Sequence, residues 1–166
     1  MNMSDKEFFV KTIADEAPRF DRVIKALPAD NLEWRPHERS KSAQEMVDTM
    51  AGEALTFPVF LKTGTIDMAA PPEGWPKFAS TSDAVTAMNR GLAEGGVVAA
   101  GMSDADWASE SKMMMGGNEV WKTTKGGMAL SLLLDLIHHR GQLSTYIRPM
   151  GGKVPSIYGP SADSNE

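Results

Sequence analysis

The chain has 166 residues, no cysteine, 22 acidic against 17 basic side chains and a formal net charge of -5 at pH 7. That length suits a single domain, 1–166, with a core that needs no covalent staples; without thiols there are no disulfides, thiolate metal sites or cysteine nucleophiles, so any metal must be held by oxygen and imidazole nitrogen. The acidic balance speaks against nucleic acid as a partner. With no signal-peptide pattern and no apolar run near the ~20 residues of a bilayer span, the expectation is a cytoplasmic protein with no membrane association.

From 5 to 27, Phe9, Ile13, Ala17, Phe20, Ile24 and Leu27 recur at helical spacing and predict a first core helix, bent at Pro18 and followed by Pro28. Residues 28–41 read as a turn-rich connection anchored by Trp34, with His37 solvated beside Glu38 and Arg39. Ser42-Ala-Gln-Glu45 has capping-box spacing and opens a second helix, striped by Ala43, Met46 or Val47, Met50, Ala54, Phe57 and Leu61. Thr49 and Glu53, one turn apart, share a flank of that stripe, where they face a pocket or sit at the core's edge.

Residues 64–79, rich in proline and glycine, predict a long connection suited to shaping a pocket mouth. Ser80-Thr-Ser-Asp83 offers caps for a third helix reaching about residue 100, in which Gly91, Gly95 and Gly96 imply either close approach of a neighbouring helix or an irregular turn. Residues 103–107 look like one capped turn, and 112–121 like two short extended pieces around Gly116-Gly117-Asn118. The run Met113-Met-Met115 reads as adaptable packing, since no soft ligand accompanies it.

The fourth helix is expected over 127–148, apolar almost all round from Met128 to Ile137 and therefore the most buried. Asp135 interrupts that run and needs a partner: Arg140, a neighbouring helix or a metal. Asp135 and His139, four apart, share a face and can grip one ion, whereas His138 points roughly 100° away. Gln142 and Tyr146 fall on the same side, so these side chains can line one cavity with Glu53 or Thr49 opposite. Beyond 148, Gly151 stops the helix, and Val154, Ile157 and Tyr158 can pack back.

The stretch His138-His-Arg-Gly-Gln-Leu-Ser-Thr-Tyr-Ile-Arg-Pro-Met-Gly-Gly-Lys-Val-Pro-Ser-Ile-Tyr-Gly-Pro-Ser-Ala-Asp163 resembles the last helix and C-terminal segment of the DinB family, the DinB/YfiT-like metalloenzymes. Trp34-Arg-Pro-His-Glu-Arg-Ser-Lys-Ser-Ala-Gln-Glu-Met-Val-Asp-Thr49 is similar to that family's entry into its second helix. The resemblance implies an all-α, up-down-down-up four-helix bundle with long loops and a packed C-terminal segment, often a homodimer. It also implies a divalent-metal pocket between the second and last helices, usually of three histidines, whose positions fall on Thr49, Asp135 and His139 here. Only His139 is the expected histidine; aspartate remains a plausible ligand, and a neutral threonine hydroxyl is a poor one.

Glu53, one turn beyond Thr49, can complete a His-plus-two-carboxylate set suited to Zn, Ni, Mn or Fe. The other arrangement holds no metal and pairs Asp135 with His139, and ligand chemistry alone leans slightly towards it. Family relatives include metal-dependent thiol transferases. The implied activity is thus a divalent-metal-dependent transferase of thiol S-transferase type, or a hydrolase, with Glu53 as ligand or base and Gln142 or Tyr146 orienting a small-molecule ligand. The alternative is a non-catalytic, stress-associated binding or dimeric interaction protein with a degenerate metal site.

Overall fold

The computed structural model describes residues 3–69 and 76–164. Helix α1 (Asp5–Lys25) starts where the Ser4 hydroxyl accepts from the Glu7 amide while the Glu7 carboxylate accepts from the Ser4 amide. Ser42 and Glu45 form the same reciprocal pair at the start of α2 (Ala43–Thr63), as the spacing predicts. Each cap satisfies amides that would otherwise lack partners and contributes about 1 kcal/mol. Gly64, at φ 73°, ends α2 in the left-handed region that glycine enters without strain, and the chain turns directly into strand β1 (Thr65–Asp67).

Helix α3 (Thr81–Gly101) is capped by Ser80, and the single turn α4 (Asp104–Trp107) by Ser103. Strands β2 (Glu110–Met115) and β3 (Asn118–Thr124) pair antiparallel across Gly116-Gly117, whose φ values of 58° and 83° make the two-residue turn that matches strand twist. Helix α5 (Lys125–Tyr146) follows β3 without a gap.

The all-α expectation is corrected here. The foreseen extended pieces form a full hairpin, and β1 adds to it in parallel, giving a three-stranded sheet in the order β1-β2-β3. The reason is tertiary: the chain leaving α2 lies beside β2, and each strand satisfies backbone donors and acceptors of the other. The Asp67 carboxylate also accepts from the amides of Gly116 and Gly117, at 3.0 and 3.2 Å, tying β1 to the hairpin turn. Of the long connection expected over 64–79, residues 70–75 lie outside the described residues, while Thr65–Asp67 form β1 and, with Pro76, line a cleft against α2.

The four long helices pack in a ring: α3 and α5 each contact both α1 and α2. Phe9, Phe20, Phe57, Phe60, Met88 and Leu133 fill the centre, each burial contributing about 1.5–3 kcal/mol. Gly91 and Gly95 of α3 serve close approach rather than a turn. A methyl group on Gly91 would lie 2.3 Å from the Ala54 carbonyl oxygen, and one on Gly95 would lie 2.8 Å from Phe57 Cβ.

Helix α5 is not buried all round. Leu130 and Leu134 are 40% and 55% exposed, and Asp135 lies on that open side. The suggested Asp135–Arg140 pair does not form, because five residues turn the two side chains roughly 140° apart. Arg140 instead points inward and pairs with buried Glu16 of α1. Arg140 Nη2 donates to the Tyr158 hydroxyl at 2.6 Å, that hydroxyl donates to Glu16 Oε2 at 3.0 Å, and Arg19 pairs with Glu16 Oε1 at 2.9 Å. Removing one charge from such a buried pair typically costs about 3–5 kcal/mol. The network pins the C-terminal segment to α1 and α5, while Val154 and Ile157 pack on the core. Tyr158 packs back less than expected: its hydroxyl is held, but the residue is 66% exposed. Among the described residues, no helix is long and apolar enough to cross a membrane.

Candidate metal centre

The centre is built where α2 meets α5. Leu132, Leu136 and Leu143 fix the buried stripe of α5, which leaves Asp135 and His139, one turn apart, at its edge. On α2, Met46, Met50 and Phe57 fix the buried stripe, leaving Glu53 on its flank. The structure brings Glu53, Asp135 and His139 together, one ligand atom from each lying within 4.8 Å of the others. His139 Nε2 is 3.5 Å from Glu53 Oε1 and 3.6 Å from Asp135 Oδ2.

Those separations suit a shared ion. Donor atoms bound at ~2.1 Å lie about 3.4 Å apart in a tetrahedral set and about 3.0 Å apart at adjacent octahedral positions. Among the described residues, Glu53 Oε2 is buried without a hydrogen-bond partner, a costly state for a carboxylate oxygen that a cation would relieve. The His139 and Glu53 side chains are only 18% and 15% exposed, whereas Asp135 is 49% exposed, so the centre opens to solvent on the aspartate side.

Gln142 orients the imidazole: its Oε1 lies 3.2 Å from His139 Nδ1 and accepts the proton there. That tautomer aims the Nε2 lone pair at the carboxylates, as a ligating histidine requires. Without an ion, the same arrangement favours a second proton. The hydrogen bond to Glu53, supported by Gln142 and by the charges of both carboxylates, holds the His139 pKa above its ordinary value despite partial burial.

Thr49 is not brought into the group. Its hydroxyl donates to the Glu45 carbonyl at 2.8 Å and accepts from Lys41 Nζ at 2.5 Å. Tyr146 lies further along a groove of about 610 Å³ that His139 and Gln142 also line. The Tyr146 phenol, its pKa raised by burial, donates to the Lys41 carbonyl at 3.3 Å, and its ring packs edge-on against Trp34 at 5.3 Å. His138 is exposed and turned away from the group, and exposed His37 accepts from the Arg39 amide, apart from the centre.

No model of a known protein family matches the sequence, and none of the curated proteins matches it. Solved structures do. YjoA, a DinB-like protein from Bacillus subtilis, superposes with a TM-score of 0.67 at 18% identity, covering 95% of this chain and 99% of that one. A DinB-like protein from Bacillus cereus ATCC 10987 superposes with a TM-score of 0.68 at 13% identity, covering 90% and 95%. The chain has a DinB-like fold.

At those identities the likeness speaks for fold, and the chemistry of this DinB-like fold has to be read from its own side chains. They are two carboxylates and one imidazole, with a hydroxyl-held ammonium where the resemblance would place a further imidazole. Lys41 is one of the groove residues that sequence reasoning missed. Its position depends on how the connection before α2 folds onto Tyr146, a contact spanning 105 residues that no local pattern announces.

Proposed function

We propose that the chain is a DinB-family divalent-metal protein whose centre, held by Glu53, Asp135 and His139, serves a transfer or hydrolysis reaction on a small molecule in the adjoining groove. Where the co-reactant is a thiol, the reaction is of thiol S-transferase type. The observation that carries this reading is the convergence of three ligand-capable side chains beside a buried, unpartnered oxygen of Glu53. A bound Zn, Ni, Mn or Fe ion supplies the positive charge that favours a thiolate or hydroxide near neutral pH.

The chain's own residues do the rest. Glu53 and Asp135 offset the charge of a dication, and Gln142 keeps the His139 proton on Nδ1. Tyr146 stays protonated and braces the Lys41 backbone, while Pro36 and Met46 give the groove apolar walls that limit water. A metal-free binding pocket draws support from Thr49, whose hydroxyl is committed to Glu45 and Lys41.

Metal retention separates the two. Protein purified without an affinity tag and incubated with Zn(II), Ni(II) or Mn(II) should keep about one equivalent after desalting, and His139→Ala should lose it. Retention of none of the three by the unmutated protein would assign the groove to metal-free binding.

A further inference from the structure

The Lys41 side chain lies at the entrance to α2 and, through its ammonium, touches Thr49 at 2.5 Å. Thr49 is itself fixed by its bond to the Glu45 carbonyl, and the Lys41 backbone is held by the Tyr146 phenol, so the lysine is positioned from both ends. Thr49, which holds the ammonium, stands four residues before Glu53 on α2, a rise of ~6 Å along the helix axis. Lys41 and His139 line the same groove.

The charges around that groove do not cancel once the centre is filled. A dication is offset by Glu53 and Asp135, with His139 neutral as a ligand. The other carboxylate near Lys41 is Glu45, which accepts from the Ser42 amide and faces Arg35 at 3.4 Å. Among the described residues, no carboxylate forms a salt bridge with Lys41; its ammonium contacts a neutral hydroxyl. One positive charge is thus left on Lys41, a residue that lines the groove together with Pro36, Met46 and Tyr146.

We propose that Lys41 is an anion anchor: the groove binds a small monocarboxylate, its carboxylate on the Lys41 ammonium and its apolar body along Met46 and Tyr146. This deepens the metal-centre reading, on which the charge count rests, by naming the ligand class. The geometry of the lysine itself does not depend on a metal. Charge-assisted hydrogen bonds in a partly enclosed groove discriminate an acid from its neutral isostere, whereas apolar walls treat the two alike.

The test compares phenylacetate with phenylacetamide by calorimetric or NMR titration of the full chain, once after EDTA treatment and once with one equivalent of Zn(II). The unmutated protein should bind the acid roughly five- to tenfold more tightly than the amide, with a wider gap in the presence of Zn(II). Lys41→Gln should erase the gap and Lys41→Arg should keep it; Lys41 is exposed, so both variants are expected to fold. Equal binding of acid and amide by the unmutated protein in both conditions would overturn the proposal. So would a preference that survives Lys41→Gln, which would place the carboxylate elsewhere, on the metal included. If Zn(II) fails to bind while the EDTA-treated protein still shows a Lys41-dependent preference, the metal reading falls and the anion anchor stands.

Discussion

His139 Nε2 is where a proton and a metal ion compete. Gln142 holds one proton on Nδ1, and the two carboxylates facing Nε2 attract whichever cation is available. In the metal-free protein the folded-state pKa of His139 is raised, chiefly by Glu53. The sign follows: the stabilisation is fully present below the unfolded value of about 6.5 and disappears as pH rises through the higher folded value. In EDTA, urea unfolding should therefore show the unmutated protein gaining on His139→Gln below about pH 6.5, with the gap closing as pH rises through the folded pKa. A gap independent of pH would mean that Glu53 does not hold a charged imidazole. The pairing of Asp135 with His139 was legible from a four-residue spacing, and Glu53 from its place on the α2 flank. The exposure of Asp135 was not, because apolar neighbours in sequence do not say which side of α5 meets another helix.

The caps at Ser42 and Ser80 and the Gly116-Gly117 turn were readable from short-range chemistry, because caps and positive φ demand particular residues, whereas the α3 glycines left close approach and an irregular turn equally open. Strand β1 was not. Three residues are too few to show an alternation, and its partner β2 lies more than 40 positions away, so only the folded chain decides the pairing. Gly91 offers the sharpest check at this scale. Gly91→Ala forces a methyl onto the Ala54 backbone and should lower stability by at least about 1–3 kcal/mol. At Gly96 a methyl meets Ile13 Cγ2 at an ordinary 3.5 Å, so Gly96→Ala should be neutral or gain up to about 1 kcal/mol of helix propensity. Equal losses at both positions in urea unfolding would contradict the close packing of α3 on α2.

Across the whole molecule, the candidate centre exists only because α2 and α5 pack side by side, bringing together groups more than 80 residues apart in sequence. The helical ring was legible from apolar periodicity and from the C-terminal stretch beginning at His138. The buried Glu16–Arg140 pair and its link to Tyr158 were not, since they join α1, α5 and the terminal segment across the core. A ligand set assembled only in the folded state converts metal affinity directly into folding stability. The most direct test is urea unfolding of the untagged protein with and without Zn(II), alongside Glu53→Gln. At a free Zn(II) concentration one hundred times the dissociation constant, the unmutated protein should gain about 2.7 kcal/mol, and Glu53→Gln should gain far less. No gain in the unmutated protein, or an equal gain in the variant, would contradict a metal centre built on Glu53, Asp135 and His139.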